Sequence, residues 1–246
     1  MARKHVELSN GRRWDTQGEA RVYFTELRDR YPHNTPIDDP ADHDDLLALL
    51  ERYDTAILED PLKAGAGVQY FETRINRAHG GFNVGFWVVR TDGSETDFSF
   101  IKAIAASPTP RAQLFADACR SAIDDDIVTA KARYFADHGD QDQRVVCPIS
   151  GVRLRRNDAR VDYTLTPFRM IALAFRDVQG WDVETAAGQV SASADAQLTA
   201  TFTNPIIADA FRRHHHASAR VRLVSKSATP TQIHAADLTA VPLLLF

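Results

Sequence analysis

Two stretches of the chain concentrate side chains able to grip a phosphate. Arg153, Arg155, Arg156 and Arg160 crowd into one short segment, and Arg212, Arg213, Arg220, Arg222 and Lys226 follow within 211–226, where no acid occurs. Guanidinium and ammonium groups neutralise phosphate oxygens and displace counterions, which is how a protein holds DNA or RNA without reading its sequence. The same cations could equally form a solvated face. A third outcome is docking against segment 38–60, which holds nine acids against the single Arg52 and would give a homo-oligomer.

Other chemistry-bearing residues are less specific. The run His214-His215-His216 is internal to the chain, and imidazoles can bind metal or move protons near neutral pH. Histidine is also favoured near a helix C-terminus by the macrodipole, so capping alone can account for the run. The spacing of His214 from Phe211 suggests that His214 is a partly buried structural residue. Asp124, Asp125 and Asp126 are consecutive, so on a helix they point in different directions and read as a solvated face rather than a metal cage. Lys63-Ala64-Gly65-Ala66-Gly67 could cradle a phosphate through backbone N–H groups, but it is neither a Walker loop nor GxGxxG. It reads as a strand-entry turn, and no nucleotide cofactor is expected. Cys119 and Cys147 belong to no CxxC pair, which supports neither a zinc knuckle nor a disulfide framework.

These residues need a scaffold, and 246 residues suffice for two compact domains. With 44% hydrophobic and 25% charged residues the composition is that of an ordinary globular protein. The net charge of −4 would discourage nucleic-acid binding if it were evenly spread, but it is segregated along the chain. No apolar run reaches the roughly 18 residues of a spanning helix, and MARKHVELSNGRRW lacks the apolar core of a signal peptide, so a cytoplasmic location without membrane contact is expected.

The pattern predicts an α+β fold: two N-terminal helices, a three-stranded antiparallel meander, a linker helix, and a C-terminal ββα-metal-like domain. Thr16 to Glu19 reads as a capping box before Ala20, Tyr23, Phe24, Leu27 and Tyr31 at helical spacing. Leu46, Leu49, Leu50 and Tyr53 stripe a second helix ending near Asp54. From Gly67 to Ile101, β-prone residues alternate between turn residues at His79-Gly80-Gly81 and Thr91-Asp92-Gly93-Ser94. Thr109-Pro110 starts a helix to about Tyr134, read as a connector. Val145 to Asp162 reads as two short strands around Ser150-Gly151. Thr166-Pro167 then opens a helix burying Phe168, Ile171, Ala172 and Phe175, and Asn204-Pro205 opens another before the strand-like ARVRLVS. The expected domains are 1–106, a connecting helix and linker over 107–143, and 144–246. There is no internal repeat.

Lys63-Ala64-Gly65-Ala66-Gly67-Val68, Arg90-Thr91-Asp92-Gly93-Ser94 and Asp97-Phe98-Ser99-Phe100 resemble signatures of the DCL family, whose founding plant protein is defective in chloroplasts and leaves. The resemblance covers roughly residues 16–105. It implies a link to nucleic acid, since members are tied to ribosomal RNA processing or to the tails of specialised plant RNA polymerases.

Cys147-Pro148-Ile149-Ser150-Gly151, Arg160-Val161-Asp162-Tyr163, Phe211-Arg212-Arg213-His214-His215-His216 and Arg222-Leu223-Val224-Ser225 resemble the extension of bacterial DCL-type proteins, over about residues 145–230. That extension reads as an HNH-like, ββα-metal core. The resemblance implies an endonuclease acting on DNA or RNA with Mg2+ or Mn2+, Asp162 and His215 holding the metal, and Asp162, Tyr163 and His215 as the catalytic set. Two departures bear on catalysis. Tyr163 stands where the pattern has His, and Thr229 where it has Asn. A phenol with an ordinary pKa of about 10 is a poor base at pH 7, and a hydroxyl is a weaker metal ligand than an amide oxygen. The chain is therefore expected to be a nucleic-acid-binding protein whose endonuclease domain is degenerate. The competing class is a non-catalytic protein- or RNA-binding assembly module.

Overall fold

A computed structural model describes residues 4–57, 62–78, 81–191, 199–229 and 243–245. The chain divides into two compact units, one of residues 1–114 and 191–200, the other of 115–190 and 201–246. The architecture is mixed α+β, with helices and antiparallel strands throughout. Among the described residues no helix is long and apolar enough to cross a membrane.

The first unit opens on a hairpin of β1 (Val6–Glu7) and β2 (Arg13–Trp14). Thr16 then starts α1 (Gln17–Arg30) with a reciprocal cap: its hydroxyl accepts the Glu19 N–H while the Glu19 carboxylate accepts the Thr16 N–H. Ala20, Phe24 and Leu27 of α1 bury with Leu46, Leu49, Leu50 and Tyr53 of α2 (Pro40–Ile57). Onto them pack Phe71, Phe86, Val88 and Phe98 from the meander of β3 (Val68–Ala78), β4 (Gly81–Arg90) and β5 (Glu95–Phe98). The meander stops short of Ile101. Ser99 accepts the Lys102 N–H at 3.3 Å and begins α3 (Phe100–Ala105), so the end of the expected third strand is helical.

The acidic segment is consumed inside its own unit. Asp42 accepts from Arg30 at 2.6 Å and from the Tyr31 hydroxyl at 2.7 Å. Asp45 accepts from the Arg12 guanidinium at 2.9 Å and the Tyr23 hydroxyl at 2.5 Å. Asp54 caps the Lys63 and Ala64 N–H groups, each at 2.9 Å. All three carboxylates are buried. The expected docking of this segment against the arginine clusters therefore lacks three of its charges.

In the second unit α4 (Arg111–His138) is no mere connector. Its Phe115, Cys119 and Ile123 enter one core, and its Ala130 and Phe135 another. β6 (Val145–Val146) and β7 (Arg153–Leu154) pair around the Ser150-Gly151 turn. After a 3-10 turn at Arg156–Asp158 comes β8 (Ala159–Tyr163). Next are α5 (Phe168–Val178), α6 (Val183–Ala187), β9 (Val190–Ser191), β10 (Thr201–Phe202), α7 (Pro205–Ser218) and β11 (Val221–Ser225). β8 pairs not with the preceding strand but antiparallel with β11, with Tyr163 opposite Val221 and Ala159 opposite Ser225.

Candidate functional site

His215 on α7 and Tyr163 on β8 meet. The Tyr163 hydroxyl and His215 Nε2 share a hydrogen bond of 2.9 Å, walled by Phe168 of α5 and Phe211 of α7. His215 is fully buried, and its Nδ1 has no hydrogen-bond partner among the described residues. Burial, helped by the neighbouring His216 and His214, lowers its pKa to about 4, so the ring is neutral at pH 7. Burial also pushes the Tyr163 phenol well above its ordinary value, against the opposing charge of Arg120, so it stays protonated. Arg120 lies over the Phe168 ring at 4.4 Å. A protonated phenol bonded to a poorly basic imidazole in an apolar wall holds α7 to the ribbon. Neither group is set to take a proton from water.

Asp162 lies elsewhere. Adjacent strand residues face opposite sides, so the Asp162 carboxylate leaves the ribbon on the side away from Tyr163 and His215. There Arg222, its cross-strand neighbour, donates to it at 2.9 Å, with 4% of the arginine side chain and 12% of the aspartate side chain exposed. The two residues expected to share Mg2+ or Mn2+ thus do not form a ligand pair. Thr229, at the position where the resemblance calls for asparagine, is exposed.

The histidine run divides by face. His214 is half-buried, as its spacing suggests, against Phe175 with ring centroids 5.5 Å apart, whereas His215 is buried completely. His216 Nε2 lies 3.2 Å from Asp126, which also takes Arg212 at 3.1 Å. One of the three consecutive aspartates therefore ties α4 to α7 instead of facing solvent.

Four of the basic residues are engaged with partners inside the unit. Arg153 pairs with Asp140. Arg160 donates to the Ser225 and Ala228 carbonyls, at 3.5 and 3.0 Å. Arg212 pairs with Asp209 as well as Asp126, and Arg222 with Asp162. Arg155, Arg156, Arg213, Arg220 and Lys226 are exposed. Arg220 lies at the Tyr163 end of the ribbon and Lys226 at the Ala159 end. The paired strands between them rise about 14 Å. Lys131 of α4 joins the Lys226 end, donating to the Ala159 carbonyl at 2.6 Å. It was invisible as a site residue while α4 read as a connector.

Lys63 to Gly67 is a packed turn. Gly65 has φ +48°, and a Cβ there would come within 2.5 Å of Arg90 Nε, which donates to the Lys63 carbonyl at 3.0 Å. Gly65 thus meets the needs of loop geometry.

Residues 25–104 match a family described as a protein of unknown function (DUF3223). That match runs from within α1 to within α3 and stops before α4. No curated protein matches the chain. Among solved structures, it is similar to the solution NMR structure of an uncharacterized protein from Rhodospirillum rubrum, at 28% identity over 42% of this chain and 91% of that one, with a TM-score of 0.32.

Proposed function

We propose that the chain is a nucleic-acid-binding protein, of DCL type in its first unit, whose HNH-like second unit binds without cutting. The observation that carries the non-cutting half of this reading is the Tyr163–His215 hydrogen bond at 2.9 Å. It commits the imidazole to the interior, while Asp162 is committed to Arg222 across the ribbon. Hydrolysis requires a base within reach of water and a means of stabilising charge on the scissile phosphate. Neither Tyr163 nor His215 offers the first, and Asp162 and His215 do not converge to offer the second. Binding rests instead on exposed cations, and Arg155, Arg156, Arg213, Arg220 and Lys226 are open to solvent for it.

The test is a plasmid- and RNA-cleavage assay with Mg2+ or Mn2+, run beside a binding series across salt concentrations. Expected are no cleavage by the native chain, none by Tyr163→His, and affinity that falls steeply as salt rises. Cleavage that His215→Ala abolishes would overturn the non-cutting half of the proposal. Absent or salt-insensitive binding would overturn the other half.

A further inference from the structure

The Ala159 end of the β8–β11 ribbon gathers like charges around one short turn. Residues Arg156–Asp158 form the 3-10 turn, and the peptides that close it are clamped from two sides. From α4, Lys131 Nζ donates to the Ala159 carbonyl at 2.6 Å. From beyond β11, the Lys226 N–H donates to the Asp158 carbonyl at 2.9 Å. The first bond holds the Lys131 ammonium at this turn, the second holds the Lys226 backbone there with its side chain exposed, and Arg160 crosses the same end to the Ala228 carbonyl at 3.0 Å.

The charges feel one another. Lys131 is half-buried and its pKa is lowered by burial first, then by Lys226, then by Arg156, with Asp158 as the opposing acid. An ammonium carries three donors, and the Ala159 carbonyl accounts for one. Burial and two neighbouring cations disfavour the charged form of Lys131, and an anion docked among them would offset both. A tetrahedral oxyanion has the size, charge and acceptor count to do so.

We infer that Lys131, Arg156 and Lys226 form a binding site for a single phosphate group, docked against the Arg156–Asp158 turn. This deepens the nucleic-acid reading and rests on it only for the source of the phosphate, which is then one backbone position of DNA or RNA.

Arg156→Gln and Lys226→Gln change exposed side chains and leave the fold intact, as circular dichroism would confirm. Lys131→Gln removes a fold contact too, so the first two carry the test. Arg77→Gln, an exposed arginine of the first unit, is the charge-matched control. Anisotropy with a fluorescent single strand and duplex should show each of Arg156→Gln and Lys226→Gln weakening binding about fivefold or more. Each should also flatten the log–log salt slope by about one, with Arg77→Gln unchanged. Inorganic phosphate should raise the melting temperature of the native protein and not that of the Arg156→Gln/Lys226→Gln double variant. Oligonucleotide binding untouched by these substitutions overturns the site and leaves the nucleic-acid reading standing. Phosphate stabilisation lost in the double variant, without oligonucleotide binding by the native chain, upholds the site and overturns the nucleic-acid reading.

Discussion

Arg222 stands directly opposite Asp162 on paired strands, and its Nε donates to the Asp162 carboxylate at 2.9 Å. The pair is nearly solvent-free, so each member depends on the other. Removing one partner strands a buried charge, a loss of roughly 3–5 kcal/mol, whereas replacing both with apolar residues can be neutral. Asp162→Ala should therefore lower the urea midpoint sharply, and Asp162→Leu/Arg222→Met should restore most of it. Equal loss in single and double variants would show that the ion pair is not the stabilising element.

The buried imidazole makes the second unit acid-sensitive. His215 has a folded-state pKa of about 4 against an ordinary 6.5, so the unfolded chain binds the proton more readily between these values. Stability from keeping the ring neutral is whole above pH 6.5 and is lost as pH falls from 6.5 toward 4, on the order of 3 kcal/mol. Urea midpoints measured across that interval should fall less in His215→Gln than in the native protein. Parallel curves would exclude His215 as the source.

Two glycines with positive φ should respond differently to alanine. Gly65, at +48°, faces Arg90, whereas Gly93, at +81°, has open space around its missing Cβ. Gly93→Ala incurs backbone strain of about 1 kcal/mol, and Gly65→Ala should incur at least twice that because Arg90 must move as well. Thermal melts of the two variants decide it.

Tyr23 reports on Asp45. Burial, and then the hydrogen bond to Asp45, push its pKa up to about 12 from 10.0. Asp45→Asn removes the charged acceptor, so Tyr23 should ionise at lower pH in a spectrophotometric titration. The same substitution removes the partner of Arg12 and should destabilise the first unit. An unmoved tyrosine transition would mean burial alone sets the value.

What could be read without coordinates was local. The Thr16–Glu19 cap, the leucine stripe of α2, the meander and the Pro167 start of α5 each rest on residues a few positions apart. α3 escaped because six residues leave little periodicity beside a strand, although Ser99 marks its start. That His215 is buried more deeply than His214 was ambiguous, since both lie near Phe211 on one helical stripe. The fate of Asp162 was unreadable because it depends on the register of β11, some sixty residues downstream. Lys131 was missed for the same reason: its partner carbonyl lies on a distant element.

The pairing of β8 with β11 also bears on assembly. The core shared by the first unit's helices and meander lies within residues 6–104, so it can form while the rest of the chain is still being made. β8 must wait, its hydrogen-bonding edge open, until residue 225 has left the ribosome. Closing so long a loop is slow, and an unsatisfied strand edge is a template for wrong partners. Nascent chains halted between residues 163 and 221 thus carry a strand whose partner has yet to be made, an opening for aggregation.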